Sequence, residues 1–351
     1  MRWLIVFAVI FACVVNLNAE WYKPEWKFRK QLKMDDKLVQ GELKNFPVCI
    51  QLPDSETDFY DAVKPDGGDV VFTDDDGKTE LPYEIELINR EKKQFVCWVQ
   101  LPEFKSGAPC SLYLYYGRPD AAAPTESAKK MWGSDYVAVW HMSSREKDGV
   151  KYAPDSAGGF NLQAAGKAAF VNGKIGIAGE SDNDPKSCFS YGYYSGEPAP
   201  KLSANDSFSL SMWVSMKSIQ SNFFNDWPLM FYYHNSGRWQ FNLMKQKGIA
   251  GHCYCPDKSP LDRWVYMSAV YDGQAKTLSL YINGQLSGDS AKAVEFCGLR
   301  EKSVLTILPG TAGMADEIRL EQIARPATWI KACYENQNNP ASITCGKAEN
   351  Q

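Results

Sequence analysis

Residues 208–214, Phe-Ser-Leu-Ser-Met-Trp-Val, alternate strictly, with Phe208, Leu210, Met212 and Val214 on one side of an extended chain and Trp213 on the other. A period of two marks a strand; helical apolar positions recur every three to four residues instead. Similar runs fill the chain. Val48–Leu52, Val70–Phe72, Phe95–Val99 and Leu112–Tyr116 read as strands in the first third, and Tyr136–Trp140, Trp264–Val270 and Leu278–Ile282 further on. Asp66-Gly67-Gly68-Asp69 and Asp75-Asp76-Gly77 are turns, because Asp and Gly tolerate the backbone angles a tight turn requires. Asn283-Gly284 is the strongest hairpin signal in the chain. No stretch of the first third has a helical period. Near the end, Pro326 opens a short helix with Trp329, Ile330, Cys333 and Tyr334 on one side. The expected fold is all-β.

Residues 119–131 are small, polar and Pro-containing and read as a linker. They divide a small β-sandwich at 20–118 from a second domain at 132–351. The segments Tyr-Asp-Gly-Gln-Ala-Lys-Thr-Leu-Ser-Leu-Tyr-Ile-Asn-Gly-Gln-Leu (271–286) and 208–214 resemble the signature hairpin and early core strand of laminin-G-like jelly rolls of the concanavalin A-like lectin/glucanase type. Residues 315–337 resemble the closing strand and helix of the bacterial branch of that fold. The segments 45–52, 66–77, 81–87 and 110–117 are similar to a bacterial domain of unknown function that often precedes such jelly rolls. The resemblance implies two β-sandwich domains, the second a jelly roll with a short C-terminal helix. The same pair occurs in the periplasmic part of proteins resembling ExbB/TolQ-type proton channels, which implies an envelope accessory role as one reading. The channel helices of those proteins are missing from this sequence.

The N-terminus reads as a secretory signal: Arg2, an apolar run at 3–15, and Leu17-Asn18-Ala19 before Glu20. The run is short for a transmembrane helix, so cleavage after residue 19 leaves no membrane span. The expected location is therefore secreted or periplasmic. The formal charge of −4, spread without clusters, argues against a nucleic-acid partner. Loss of Cys13 leaves nine of ten cysteines, and export favours disulfides among them. Nine is odd, so at least one is unpaired within the chain. Cys333 and Cys345 are the expected pair, closing a short loop. Cys253 and Cys255, next to His252, stand too close for the usual zinc spacing and read as disulfide partners of other cysteines.

Three kinds of site suggest themselves. Exposed aromatic rings stack on sugars, and Tyr193, Trp227, Tyr232, Tyr233 and Trp239 lie in loop-rich segments of the second domain, along with Tyr191 and Tyr194. Many laminin-G-like domains bind one calcium ion through carboxylates and carbonyls; that resemblance points to Asp155, Asp316 and Asp272, which equally suit turns. Glycosidases of the concanavalin A-like fold need close carboxylates on one strand face. Glu84-Ile85-Glu86 imitates this but lies in the first domain without a third acid, and Asp316 and Glu317 are adjacent and so point to opposite faces of a regular strand. His141 and His234 stand alone. The expected function is non-catalytic recognition of a glycan or a cell-envelope protein, calcium-assisted; a glycoside hydrolase or lyase on the same fold is the enzymatic alternative.

Overall fold

The computed structural model describes residues 20–122, 127–192, 200–219, 221–226, 228–245, 248–292, 294–299 and 304–351; the signal run with Cys13, Tyr193, Tyr194 and Trp227 lie outside them. Nearly all described secondary structure is β, arranged in four sheets. The first domain pairs a five-stranded sheet with a three-stranded one, and the second pairs an eight-stranded with a nine-stranded sheet. This is the expected architecture of two β-sandwiches.

Alternation explains how the sheets stack. In the Glu42–Leu52 and Gln94–Lys105 strands, Val48, Ile50, Cys97 and Val99 enter the first domain's core, whereas Cys49, Val96 and Trp98 point the other way. Those outward residues meet Met131, Trp132, Tyr136, Val139 and Ile175 in a separate cluster, the seam between the domains. The Phe208–Met216 strand behaves likewise. Phe208, Leu210, Met212 and Val214 enter the jelly-roll core, and Trp213 turns to the first domain's side, as the sequence pattern predicts. The strand is buried along its whole length because both its faces are covered. Asn283 and Gly284 both have positive φ and join Thr277–Ile282 to Gln285–Leu286 as a hairpin.

Among the described residues three α-helices complete the fold: α1 (Thr57–Ala62), α2 (Ser127–Trp132) and α3 (Ala327–Asn338). The first domain was expected to lack helix. At six residues α1 is too short to display a period, yet it buries Phe59 and Tyr60. The end of the linker segment becomes α2 and delivers Met131 and Trp132 to the seam. The expected face of α3 is buried, including Trp329, Ile330 and Cys333. Its polar residues are buried too. Asn336 Nδ2 donates to the Cys49 carbonyl at 3.2 Å while its Oδ1 accepts from the Cys49 amide at 2.7 Å, and Gln337 Oε1 accepts from Trp213 Nε1 at 2.7 Å. One helix therefore holds an element of each domain. Beyond it, Ile343–Cys345 and Glu349–Asn350 pair with Phe28–Met34 in the five-stranded sheet.

The expected Cys333–Cys345 bridge is absent: all nine described cysteines are free thiols. Cys333 is sealed on the buried side of α3, and Cys345 is opposite Leu32 in sheet pairing. Cys253 and Cys255 also correct the expectation. Both face inward from their strand segment, and His252 and Tyr254 face outward. No described helix is long and apolar enough to cross a membrane.

Candidate functional site

The outer side of the nine-stranded sheet carries a line of residues that is polar on every strand but one, where Met230 stands. Following partners across the ladders gives Arg145, Tyr152, Gln163, Ser190, Thr306, Asn225, Met230, Asn242 and His252, one from each strand. Cross-strand partners share a face. Their strand neighbours Ala153, Leu162, Phe189, Leu305, Ile307, Leu229, Phe231, Phe241, Leu243 and Cys253 form the inner core, so the line points outward. A shorter second row runs Asn222, Tyr232, Gln240, Tyr254. Arg145, His252 and Tyr254 at the ends are exposed, Tyr232 is half-buried, and Ser190, Gln240 and Asn242 are buried. Gln240 Nε2 donates to Asn242 Oδ1, and Asn222 Oδ1 is buried without a hydrogen bond. Amides both donate and accept, and phenol rings offer a flat apolar surface with a polar edge. Neither row contains a carboxylate.

The second concentration of polar groups lies in the seam. Glu84 and Glu86 project from the first domain, His141 follows the Tyr136–Trp140 strand, and Glu317 and Arg319 come from the Gly313–Glu321 strand. The side chains of His141, Glu86, Glu317 and Arg319 are 3%, 1%, 0% and 2% exposed. His141 Nδ1 is 2.8 Å from Glu317 Oε1 and 3.6 Å from Glu86 Oε2, and its Nε2 is 3.4 Å from Glu84 Oε2. Arg319 donates to Glu317 Oε2 at 2.8 Å, Trp98 Nε1 to Glu86 Oε2 at 2.9 Å, and Ser156 Oγ to Glu84 Oε1 at 2.6 Å. The His141 ring stacks on Trp98 at 5.6 Å, and the Arg319 guanidinium lies 4.1 Å from the centre of the same indole.

Two bulges create this cluster. The ladder slips at Glu86, so that Glu84, Glu86 and Leu87 reach the seam while Ile85 and Ile88 pack into the first domain's core. A second slip faces Glu317, whose φ is +49°, in the left-handed region. Asp316 and Glu317 therefore do not diverge as in a regular strand; both are buried. Asp316 accepts from the amides of Ile175 and Glu317.

Burial opposes ionisation of Glu84 and Glu317, but His141 beside both, with Arg319 beside Glu317, holds their pKa values below the ordinary range. Burial and the Glu317 charge push Glu86 well up, and burial with Glu317 and Glu86 does the same to Asp316. Burial opposes the imidazolium, but Glu317 and Glu84 outweigh it and raise His141. His141 and Arg319 thus favour the carboxylate forms of Glu84 and Glu317, whereas burial and neighbouring negative charge disfavour ionisation of Glu86 and Asp316.

The residues singled out from sequence fare unequally. Tyr233 and Trp239 are packed against each other in the jelly-roll core, ring centres 4.4 Å apart, and cannot stack on a sugar. Alternation placed their neighbour Tyr232 outward, on the polar face. Tyr193 and Trp227 lie outside the described residues. The three aspartates form no metal set. Asp155 accepts backbone amides from Val139, Ala157, Gly159 and Phe160; Asp272 accepts from Gln274 and Ala275; Asp316 is sealed in the seam. Among the described residues, the only close trio of metal-ligating side chains is Glu86, His141 and Glu317. Sequence reading set Glu84 and Glu86 aside for want of a third acid and took His141 as solitary. Each domain in fact supplies what the other lacks.

Comparison with known proteins divides the chain similarly. Residues 66–131 match the family model of a domain of unknown function, DUF2341, and residues 190–331 match that of the concanavalin A-like lectin/glucanases superfamily. A domain of unknown function precedes a concanavalin A-like domain. No curated protein matches the chain. Among solved structures it is similar to the binding domain of Paraclostridial Mosquitocidal Protein 1, at 14% identity and TM-score 0.46, over 57% of this chain and 52% of that one. It is also similar to the botulinum neurotoxin serotype G binding domain, at 14% and 0.43, over 57% and 51%. A third is domain 4 of AbnA, a GH43 extracellular arabinanase from Geobacillus stearothermophilus in complex with arabinotriose, at 18% and 0.36, over 47% and 80%. The chain spans about half the length of the two toxin domains.

Proposed function

We propose that this chain is an exported glycan-binding protein whose concanavalin A-like domain receives a saccharide on the outer face of the nine-stranded sheet. The observation that carries the reading is the line of largely polar residues crossing all nine strands, which includes Tyr152, Gln163, Asn225 and Asn242 and has Tyr232 and Tyr254 in the row beside it. Sugars present hydroxyls that each donate and accept, which Asn222, Gln240 and Asn242 match, and apolar ring faces, which a half-buried tyrosine matches. Recognition suits this face better than cleavage. Glycoside hydrolysis requires two close carboxylates, the two rows contain none, and the chain's clustered glutamates are sealed in the seam.

The test is a glycan-array screen of residues 20–351, with and without a calcium chelator, followed by calorimetry on any hit. Saturable binding should appear, fall at least tenfold in the Tyr232→Ala and Asn242→Ala variants, and survive the chelator. If folded protein binds no glycan, the reading fails, and a pull-down against envelope proteins becomes the next experiment. If binding survives both substitutions, the site is elsewhere.

A further inference from the structure

We propose that the seam between the two domains is a binding site for one divalent transition-metal ion, held by Glu86, His141 and Glu317. One ligand atom from each lies within 4.8 Å of the others. Tetrahedral coordination at about 2.0–2.1 Å places neighbouring donor atoms roughly 3.3 Å apart. His141 Nδ1 stands 2.8 Å from Glu317 Oε1 and 3.6 Å from Glu86 Oε2, on either side of that spacing.

The surroundings of each ligand strengthen the assignment. Metal-binding residues are oriented by partners on their non-coordinating atoms. Trp98 holds Glu86 by Oε2, Arg319 holds Glu317 by Oε2, and the far ring nitrogen of His141, Nε2, faces Glu84. Arg319 leaves Glu317 Oε1 and Trp98 leaves Glu86 Oε1 without these donors. Glu86 also has an oxygen to spare: Oε1 is buried without a hydrogen bond. It occupies space that a side chain at position 176 would fill, since a Cβ on Gly176 would stand 2.3 Å away. A buried carboxylate oxygen left unsatisfied is costly, and a cation is a partner that removes the cost.

Glu86 also lines a cleft of about 520 Å³ with Ser143, Ser144, Arg145 and Ile177. One imidazole and two carboxylates suit zinc, and equally manganese. The ligands come from both domains, so the ion would tie the first domain to the concanavalin A-like one. This inference stands apart from glycan recognition, which uses the other sheet.

The experiment strips residues 20–351 of metal with chelator, then titrates Zn²⁺ by calorimetry and Mn²⁺ by electron paramagnetic resonance. One ion per chain is expected, with a higher Tm on binding. Glu86→Gln, which keeps the side chain's shape, should weaken both ions by at least tenfold and leave the metal-free urea midpoint unchanged. His141→Gln should abolish binding; if it fails to fold, Glu86→Gln still decides. Absence of saturable binding by either ion overturns the proposal. So does wild-type affinity in Glu86→Gln, which would assign the zinc to thiols such as exposed Cys297 or to surface histidines. Manganese, which thiols bind poorly, separates those cases.

Discussion

The two sheets of the concanavalin A-like domain turn very different outer faces to the world. The eight-stranded sheet presents Arg319, Glu317 and Trp213 to the first domain, and these polar groups are paired and closed off from water. The nine-stranded sheet presents mainly amides, hydroxyls and tyrosines, buried or half-buried between the exposed Arg145 and His252 at its two ends. Full charges are buried where cations and carboxylates meet in the seam, and between its exposed ends the open face uses dipoles. Burying an ion pair stabilises only when its geometry and remaining hydrogen bonds are satisfied. A neutral amide carries a smaller desolvation cost and can stay partly unpaired until a ligand arrives.

The contrast can be tested from its strongest point outward. Arg319→Ala should cost about 3–5 kcal/mol, read from urea unfolding, because it leaves Glu317 buried with one cation fewer. A loss under about 1 kcal/mol would mean that the seam tolerates unpaired charge and that the contrast with the polar face is superficial. Asn336→Ala should cost about 1–3 kcal/mol by the same measurement, since it strands the buried amide and carbonyl of Cys49 together.

Alkaline titration probes the thiols. Burial pushes Cys110 and Cys333 up to about 12 and Cys345 up to about 11, from an ordinary 9.0. The unfolded chain ionises first, so their contribution is intact below pH 9 and is lost as pH rises through the folded values. Tm should therefore fall steadily above pH 9. At pH 8, a thiol reagent should modify Cys297 first, and a bridge between Cys333 and Cys345 detected by mass spectrometry would contradict this picture. The smallest effect belongs to the polar face. Tyr232→Ala should change stability by less than about 0.5 kcal/mol while removing glycan affinity. A large loss of stability there would make Tyr232 a packing residue.

How much of this was legible depended on whether the pattern was local. The alternation at 208–214 placed Trp213 opposite its neighbours correctly, and Asn283-Gly284 located its hairpin. The same rule sent Tyr232 and Tyr233 to opposite faces. It could not say which face was core, because both rings are amphipathic. It failed at Glu317, where a bulge and a left-handed backbone cancel the alternation, and neither leaves a mark in residue type.

The sequence alone determined the strands, the turns between them, the closing helix and the β-sandwich class, because each rests on neighbours a few residues apart. It also contained Glu84-Ile85-Glu86 and Trp140-His141, the separate halves of the seam. Only the tertiary structure decided that these halves meet. Glu84 and Glu317 are 233 positions apart in sequence, yet both face His141, because α3 and the last strands draw the two domains together. The polar line likewise joins nine strands from Arg145 to Thr306, in an order set by sheet topology rather than by chain order. Hydrogen-bond pairing across a sheet assembles a surface from distant residues, and no local periodicity encodes which strand will lie beside which.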